Sequence, residues 1–350
     1  MKTPIEKLAK HTNAILVPCK DREQWLAERP NSIGGSETPD LYGVGYGSPI
    51  KVWADKVSPS TASDSTESQE IKLEIEPIVI SRYLKKFGGT VDAWPQWTIA
   101  RHPDHPFIHS TPDGLIDDPR IQDQHPGTLL GDGIGSFSIK SWSEFGIADW
   151  ANGPPLYSVI QVQTELAVLN LKWAVIAVMF GTQRVERYFV ERNDYFIEDL
   201  YKACQRFWRL VTDKIEPPID ESRATAEALY RLHPNDSGKA VYMPAEADQV
   251  ILDREEAKES IKSAERIEAR CENQLKAWIG DHTFGVTPEG RIISWKSTDR
   301  KGYTVAATTF RQMRSVKALP KGVSIERVEH SPSIAIPTIA STPLLESANV

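Results

Sequence analysis

Long apolar runs are missing from this 350-residue chain: the longest, Trp173 to Phe180, falls far short of the roughly 20 residues a membrane span needs. Cysteine is scarce. Cys19, Cys204 and Cys271 lie far apart with no CxxC spacing, which excludes a disulfide framework and a cysteine zinc site, and fits a reducing cytoplasm. Positive charge is not in excess, because 41 Lys and Arg face 48 Asp and Glu for a formal net charge of −7. That balance argues against a protein that coats nucleic acid, yet it leaves room for a local basic channel. The N-terminal stretch has acid among its lysines and no long apolar segment, so no secretory signal is expected. Internal repeats are also lacking.

What is present is core material. The chain is 40% hydrophobic and carries ten Trp, enough for one large domain or two ordinary ones. Asp21 to Trp25 reads as a short helix and Ile33 to Ser36 as a loop. Residues 58–70 read as a mobile polar insert. A helix is predicted from about Glu76 to Phe87, with Ile80, Tyr83, Leu84 and Phe87 on one face and Pro77 in its first turn. Strands follow at 97–101, 107–110, 115–116 and 136–142. Then come a helix over 156–170, a buried strand over 173–180, an alternating strand over 184–191 and a helix capped by Asn193. This order predicts a three-layer α/β fold with a mixed central sheet between helices. Residues 1–218 would form that core and 219–303 a helical extension with a β-hairpin, leaving 304–350 as a largely disordered tail.

Four patterns could carry chemistry. In Thr111-Pro112-Asp113-Gly114-Leu115, Asp113 ends a strand turn, and on the next strand Ser138 and Lys140 point to one face with Ile139 opposite. An aspartate facing such a lysine suits a metal-assisted hydrolytic site, although Pro-Asp-Gly is also a common turn. Glu76 shares the apolar face of its helix, and is either a buried acid needing compensation or a first-turn acid favoured by the helix dipole. In Gln161-Val162-Gln163-Thr164-Glu165, Gln161 and Glu165 are helical neighbours; the competing reading is a rim exposed to water. Finally, Trp25-Leu26-Ala27-Glu28-Arg29 leads into Ile33-Gly34-Gly35-Ser36, where exposed backbone N–H groups and an arginine could take phosphate, or an ordinary capped turn could form.

In this order the patterns resemble the YqaJ-type viral recombinases, relatives of phage lambda exonuclease in the PD-(D/E)xK nuclease superfamily. The resemblance covers roughly residues 21–218 and extends more loosely to Tyr303. It implies a Mg²⁺- or Mn²⁺-dependent exonuclease that degrades one strand of linear double-stranded DNA in the 5′–3′ direction, from a 5′-phosphorylated end. Asp113 and the main-chain carbonyl of Ile139 would be metal ligands, Lys140 would activate water, and Glu76 and Gln161 would support the site. Arg29 and Ser36 would bind the terminal 5′-phosphate. The likeness also implies a ring-shaped homotrimer, a single-strand annealing protein as partner, and action in the cytoplasm of a bacterial or phage-infected cell.

One position departs from the pattern: Ser138 stands where the family has glutamate, removing one negative charge from the metal site. Glu165 is the expected substitute, ahead of Glu144 and Asp132. The alternative is a catalytically impaired accessory that binds DNA ends.

Overall fold

The structure, a computed structural model, describes residues 9–10, 12–59, 67–182, 184–299, 321–323 and 325–327. The disordered tail predicted from residue 304 lies mostly outside these, as do residues 60–66 of the predicted mobile insert.

The helices are α1 (Arg22–Glu28), α2 (Thr38–Leu41), α3 (Pro49–Val57), α4 (Glu67–Phe87), α5 (Arg120–Gln124), α6 (Leu156–Leu169), α7 (Asp194–Thr212), α8 (Arg223–Leu232) and α9 (Ala247–Ile279). The first nine strands are β1 (Ile15–Pro18), β2 (Ile33–Gly34), β3 (Thr90–Ala93), β4 (Thr98–Arg101), β5 (Ile108–Ser110), β6 (Gly114–Asp117), β7 (Gly135–Trp142), β8 (Trp173–Phe180) and β9 (Arg184–Glu191).

The central sheet has the order β3-β6-β7-β8-β9. Its pairs are antiparallel except β7 with β8, which run parallel because α6 carries the chain back between them. The alternation of β8 shows why the layers form. Trp173, Val175 and Ala177 pack with Val79 and Tyr83 of α4 in one apolar cluster, while Ala174, Ile176 and Val178 pack with Val159 and Leu166 of α6 in the other. A strand buried on both faces has no use for polar alternation, hence its unbroken apolar run. The predicted three-layer α/β core is therefore present.

A second sheet, β1-β4-β5-β2, flanks α6 and includes the segment read from sequence as the loop 33–36. Ile33 and Gly34 pair in parallel with Ile108 and His109. With sheets on two sides, α6 is enclosed: Ser158, Gln163, Thr164 and Glu165 are all buried. The water-exposed rim considered for this helix does not exist. Gln163 instead closes a structural joint, its amide donating to the Glu191 carbonyl at 2.6 Å and its oxygen accepting from the Asn193 amide at 3.0 Å.

A second correction concerns α4, which begins at Glu67, nine residues before the start predicted from Pro77. Pro77 lies inside the helix and Glu76 is not in its first turn, so a helix-dipole explanation for that acid fails. The missing N–H at Pro77 falls on an exposed turn, where water can take the carbonyl it leaves.

The described residues form two compact units that divide after Pro234, and α8 belongs to the first of them. In the second, β10 (Ala240–Tyr242) pairs in parallel with β13 (Ile325–Arg327), α9 runs for 33 residues, and β11 (Phe284–Val286) and β12 (Ile292–Ser294) make the predicted hairpin. Among the described residues no helix is long and apolar enough to cross a membrane.

Candidate active site

Strand β7 and helix α6 assemble the chemistry. Phe137 and Ile139 of β7 point toward the α4 layer, so Ser136, Ser138 and Lys140 project toward α6. The Lys140 ammonium donates to Gln161 Oε1 at 2.8 Å. One helical turn on, Gln161 Nε2 donates to Glu165 Oε1 at 3.1 Å, and Ser136 Oγ donates to Glu165 Oε2 at 2.7 Å. The adjacent strand contributes Asp113, just before β6, whose Oδ2 accepts from the Ile139 amide at 2.5 Å. Asp113 thus closes on β7 beside Lys140.

Electrostatics tie these groups together. Asp113 is partly buried and its carboxyl is pushed up by desolvation, with Lys140 and the Ile139 amide pulling the other way. Desolvation raises Glu165 to about 7; Asp113 adds to the rise, and Lys140, Ser136 and Gln161 oppose it. Glu76, half-buried on α4, is raised to about 7 by desolvation and then by Asp113. Three carboxyl groups of one region thus resist ionisation together. That is a site short of positive charge.

Two cavities meet there. One, of about 690 Å³, runs past Trp25, Arg29, Trp97 and Glu165; the other, of about 780 Å³, runs past Ile139, Lys140, Trp142 and Tyr157. Both are lined by Ser36, Lys72, Glu76, Asp113 and Gln161, which places the carboxylates at their junction. Arg29 lies over the Trp25 ring, 4.6 Å from its centroid. The loop carrying Ser36 is held from behind: Glu37 accepts from the Gly34 amide at 2.6 Å and pairs with the buried Lys56 ammonium at 2.7 Å.

The sequence-predicted residues Arg29, Ser36, Glu76, Asp113, Ile139, Lys140, Gln161 and Glu165 therefore all line this pair of cavities. Asp132 is ion-paired with Lys172 instead, and neither it nor Glu144 lines either cavity. Ser138 is buried and its hydroxyl has no hydrogen-bond partner. The sequence reading missed Ser136, although it shares the parity of Ser138 and Lys140, and missed the Glu37–Lys56 pair.

The donor set suits a hard divalent cation. Buried carboxylates raised by desolvation and by one another would be relieved by one, and oxygen ligands are what Mg²⁺ and Mn²⁺ take. Among the described residues no three His, Cys, Asp or Glu side chains stand together as a ready cage.

A pH dependence follows. Glu76 and Glu165 ordinarily titrate near 4.5 and are raised to about 7 here, so between those values the folded state holds more protons than the unfolded one. The metal-free protein is expected to lose stability as pH rises through that window. Added Mn²⁺ should raise Tm at pH 8, where the carboxyls are charged, and do little at pH 5. Equal shifts at both pH values in thermal scans would place the cation elsewhere.

Comparison with known proteins bears on this arrangement. Residues 24–172 match the YqaJ-like viral recombinase domain. The Bacillus subtilis (strain 168) protein YqaJ is 28% identical over 277 residues, covering 75% of this chain and 80% of its own. Among solved structures, the alkaline exonuclease LHK-Exo in complex with dAMP is similar, with 18% identity, a TM-score of 0.44, and coverage of 61% of this chain and 98% of its own. A second structure of LHK-Exo, from Laribacter hongkongensis, aligns with a TM-score of 0.42 at 18% identity, over 55% of this chain and 94% of its own. A phage-related exonuclease from Haemophilus somnus 129PT aligns at 11% identity with a TM-score of 0.36, over 52% of this chain and 96% of its own.

Proposed function

We propose that this chain, whose residues 24–172 match the YqaJ-like viral recombinase domain, is a divalent-metal-dependent exonuclease acting on the ends of linear double-stranded DNA in recombination. The observation that carries this reading is the convergence of Asp113, Lys140, Gln161 and Glu165 at the junction of two cavities.

Asp113, Glu165 and the main-chain carbonyl of Ile139 would hold the cation. When bound, it would supply positive charge to the phosphoryl oxygens and lower the pKa of a coordinated water. Lys140, held by Gln161, orients the attacking water or takes its proton. Gln161 also bonds Glu165, so one amide fixes the lysine and the acid relative to each other. Glu76 adds a carboxylate on the opposite helix layer, toward the same cavities. Water adds to phosphorus, the P–O3′ bond breaks, and the shortened strand is left with a new 5′-phosphate. Arg29 and Ser36, on the cavity that also holds Trp25, would take the terminal 5′-phosphate. With that end anchored, degradation runs 5′ to 3′. A single-strand annealing protein would receive the exposed strand, and a ring of three copies would keep the enzyme on its track.

The deciding assay is incubation of linear duplex DNA with and without 5′-phosphate, in Mg²⁺, Mn²⁺ or EDTA. Metal-dependent loss of one strand, faster from phosphorylated ends, is expected; Arg29→Ala should erase the preference for phosphate with a smaller effect on unphosphorylated ends. End binding without digestion in either metal would instead make the protein a DNA-end-binding accessory.

A further inference from the structure

The two elements that present Lys140 and Gln161 do not stop there. Two residues further along β7, on the same face as Lys140, stands Trp142; one turn earlier on α6, on the same side as Gln161, stands Tyr157. Their rings are stacked, with centroids 6.3 Å apart and planes inclined by 23°. Asp149 accepts from the Trp142 indole N–H at 3.2 Å and fixes that ring. A third ring, Tyr46, meets Tyr157 edge-on at 5.0 Å and is 74% exposed. All three line the cavity on the side of the carboxylates away from Arg29.

Tyr46 is not part of a core. It sits at the tip of Gly43-Val44-Gly45-Tyr46-Gly47, a loop wrapped around the Asp40 carboxylate, which accepts from the Gly47 amide at 2.8 Å. A side chain at Gly45 or Gly47 would collide with that carboxylate, a Cβ meeting its oxygens at 1.9 and 2.2 Å. The loop thus holds one large, solvent-exposed aromatic ring on the lining of the cavity, between two glycines. Exposed aromatic rings next to a phosphate-handling site are what single-stranded nucleic acids stack on, because every base has a π-face.

We propose that Tyr46, Tyr157 and Trp142 form a base-stacking platform for the nucleotides on the 3′ side of the scissile phosphate. It rests on the nuclease reading above, which anchors the 5′ end at Arg29 and so sends the continuing strand toward these rings. A base inside a duplex already stacks on both neighbours, so the platform engages only bases lifted from their partners.

The test uses the full chain and 5′-phosphorylated duplexes with either a normal base or an abasic residue at the second and third nucleotides. Removing the bases should lower kcat/KM of the wild type by about tenfold, the scale of one stacked base, mainly through KM. Tyr46→Ala should lose about as much on the normal duplex and nothing further on the abasic one, while Tyr46→Trp retains activity. Losses that simply add, or a fully active Tyr46→Ala, would overturn the platform. A binding arm separates this from the nuclease reading: 2-aminopurine at the second nucleotide of a 5′-phosphorylated oligonucleotide should be quenched by wild type and not by Tyr46→Ala. Quenching without any cleavage would overturn the nuclease reading alone. Cleavage without quenching would overturn the platform alone.

Discussion

Glu165→Gln is expected to lower metal-dependent cleavage of linear duplex DNA by about 10³-fold, the scale of removing one preorganised electrostatic group from a transition state. The carboxylate is buried, accepts from Ser136 and Gln161, and stands with Asp113 and Lys140 in a region short of positive charge. Glutamine keeps its size and can still accept from Ser136, so the fold should survive and circular dichroism should be unchanged. On the proposal that α6 supplies the acid missing at position 138, the loss should be reversible by moving it back. Ser138 is buried on the face of β7 that also carries Ser136 and Lys140, with a hydroxyl that bonds nothing. Ser138→Glu alone would put a second carboxylate beside Glu165 and is expected to destabilise the metal-free protein. Ser138→Glu combined with Glu165→Gln restores the charge count and should regain at least about tenfold of the lost rate, about 1.4 kcal/mol of the barrier. A Glu165→Gln chain with wild-type cleavage rates would refute the substitution of one acid for the other.

Lys140→Met should reduce the rate by about 10²- to 10⁴-fold, the range for a positioned acid–base group, while DNA-end binding changes little. Methionine keeps the apolar stem and deletes the ammonium that meets Gln161 at 2.8 Å. Gln161→Leu should give a smaller loss in the same parameter, kcat, because it frees the lysine without removing it. Measured by single-turnover kinetics, equal loss of end binding and rate in Lys140→Met would mean that the lysine holds phosphate and does not act on water.

Much of this site was readable in the sequence, because its parts are local. A strand of alternating faces puts positions 138 and 140 together, and a helix puts Gln161 beside Glu165; neither needs the rest of the fold. The central sheet was legible for a similar reason, since β8 and β9 announce themselves by an unbroken and an alternating apolar pattern. What failed was whatever distant chain decides. A wet rim stayed open as the competing reading of α6's polar residues because nothing local reveals that β2 and β5, more than 70 residues apart, pair to build a second sheet over that helix. Pro77 was read as a helix start, which is its commonest helical place. Its actual setting depends on the seven residues of α4 from Glu67 to Leu73, which carry little amphipathic signal of their own. The Glu37–Lys56 pair escaped notice because it joins a loop to a helix 19 residues on.

The glycines that flank Tyr46 bear on how this protein can diverge. Neither neighbour can acquire even a methyl group without striking the Asp40 carboxylate, so nature has a single dial at that rim. Descendants that favour other DNA ends would be expected to vary the residue at 46 and leave the turn around it unaltered.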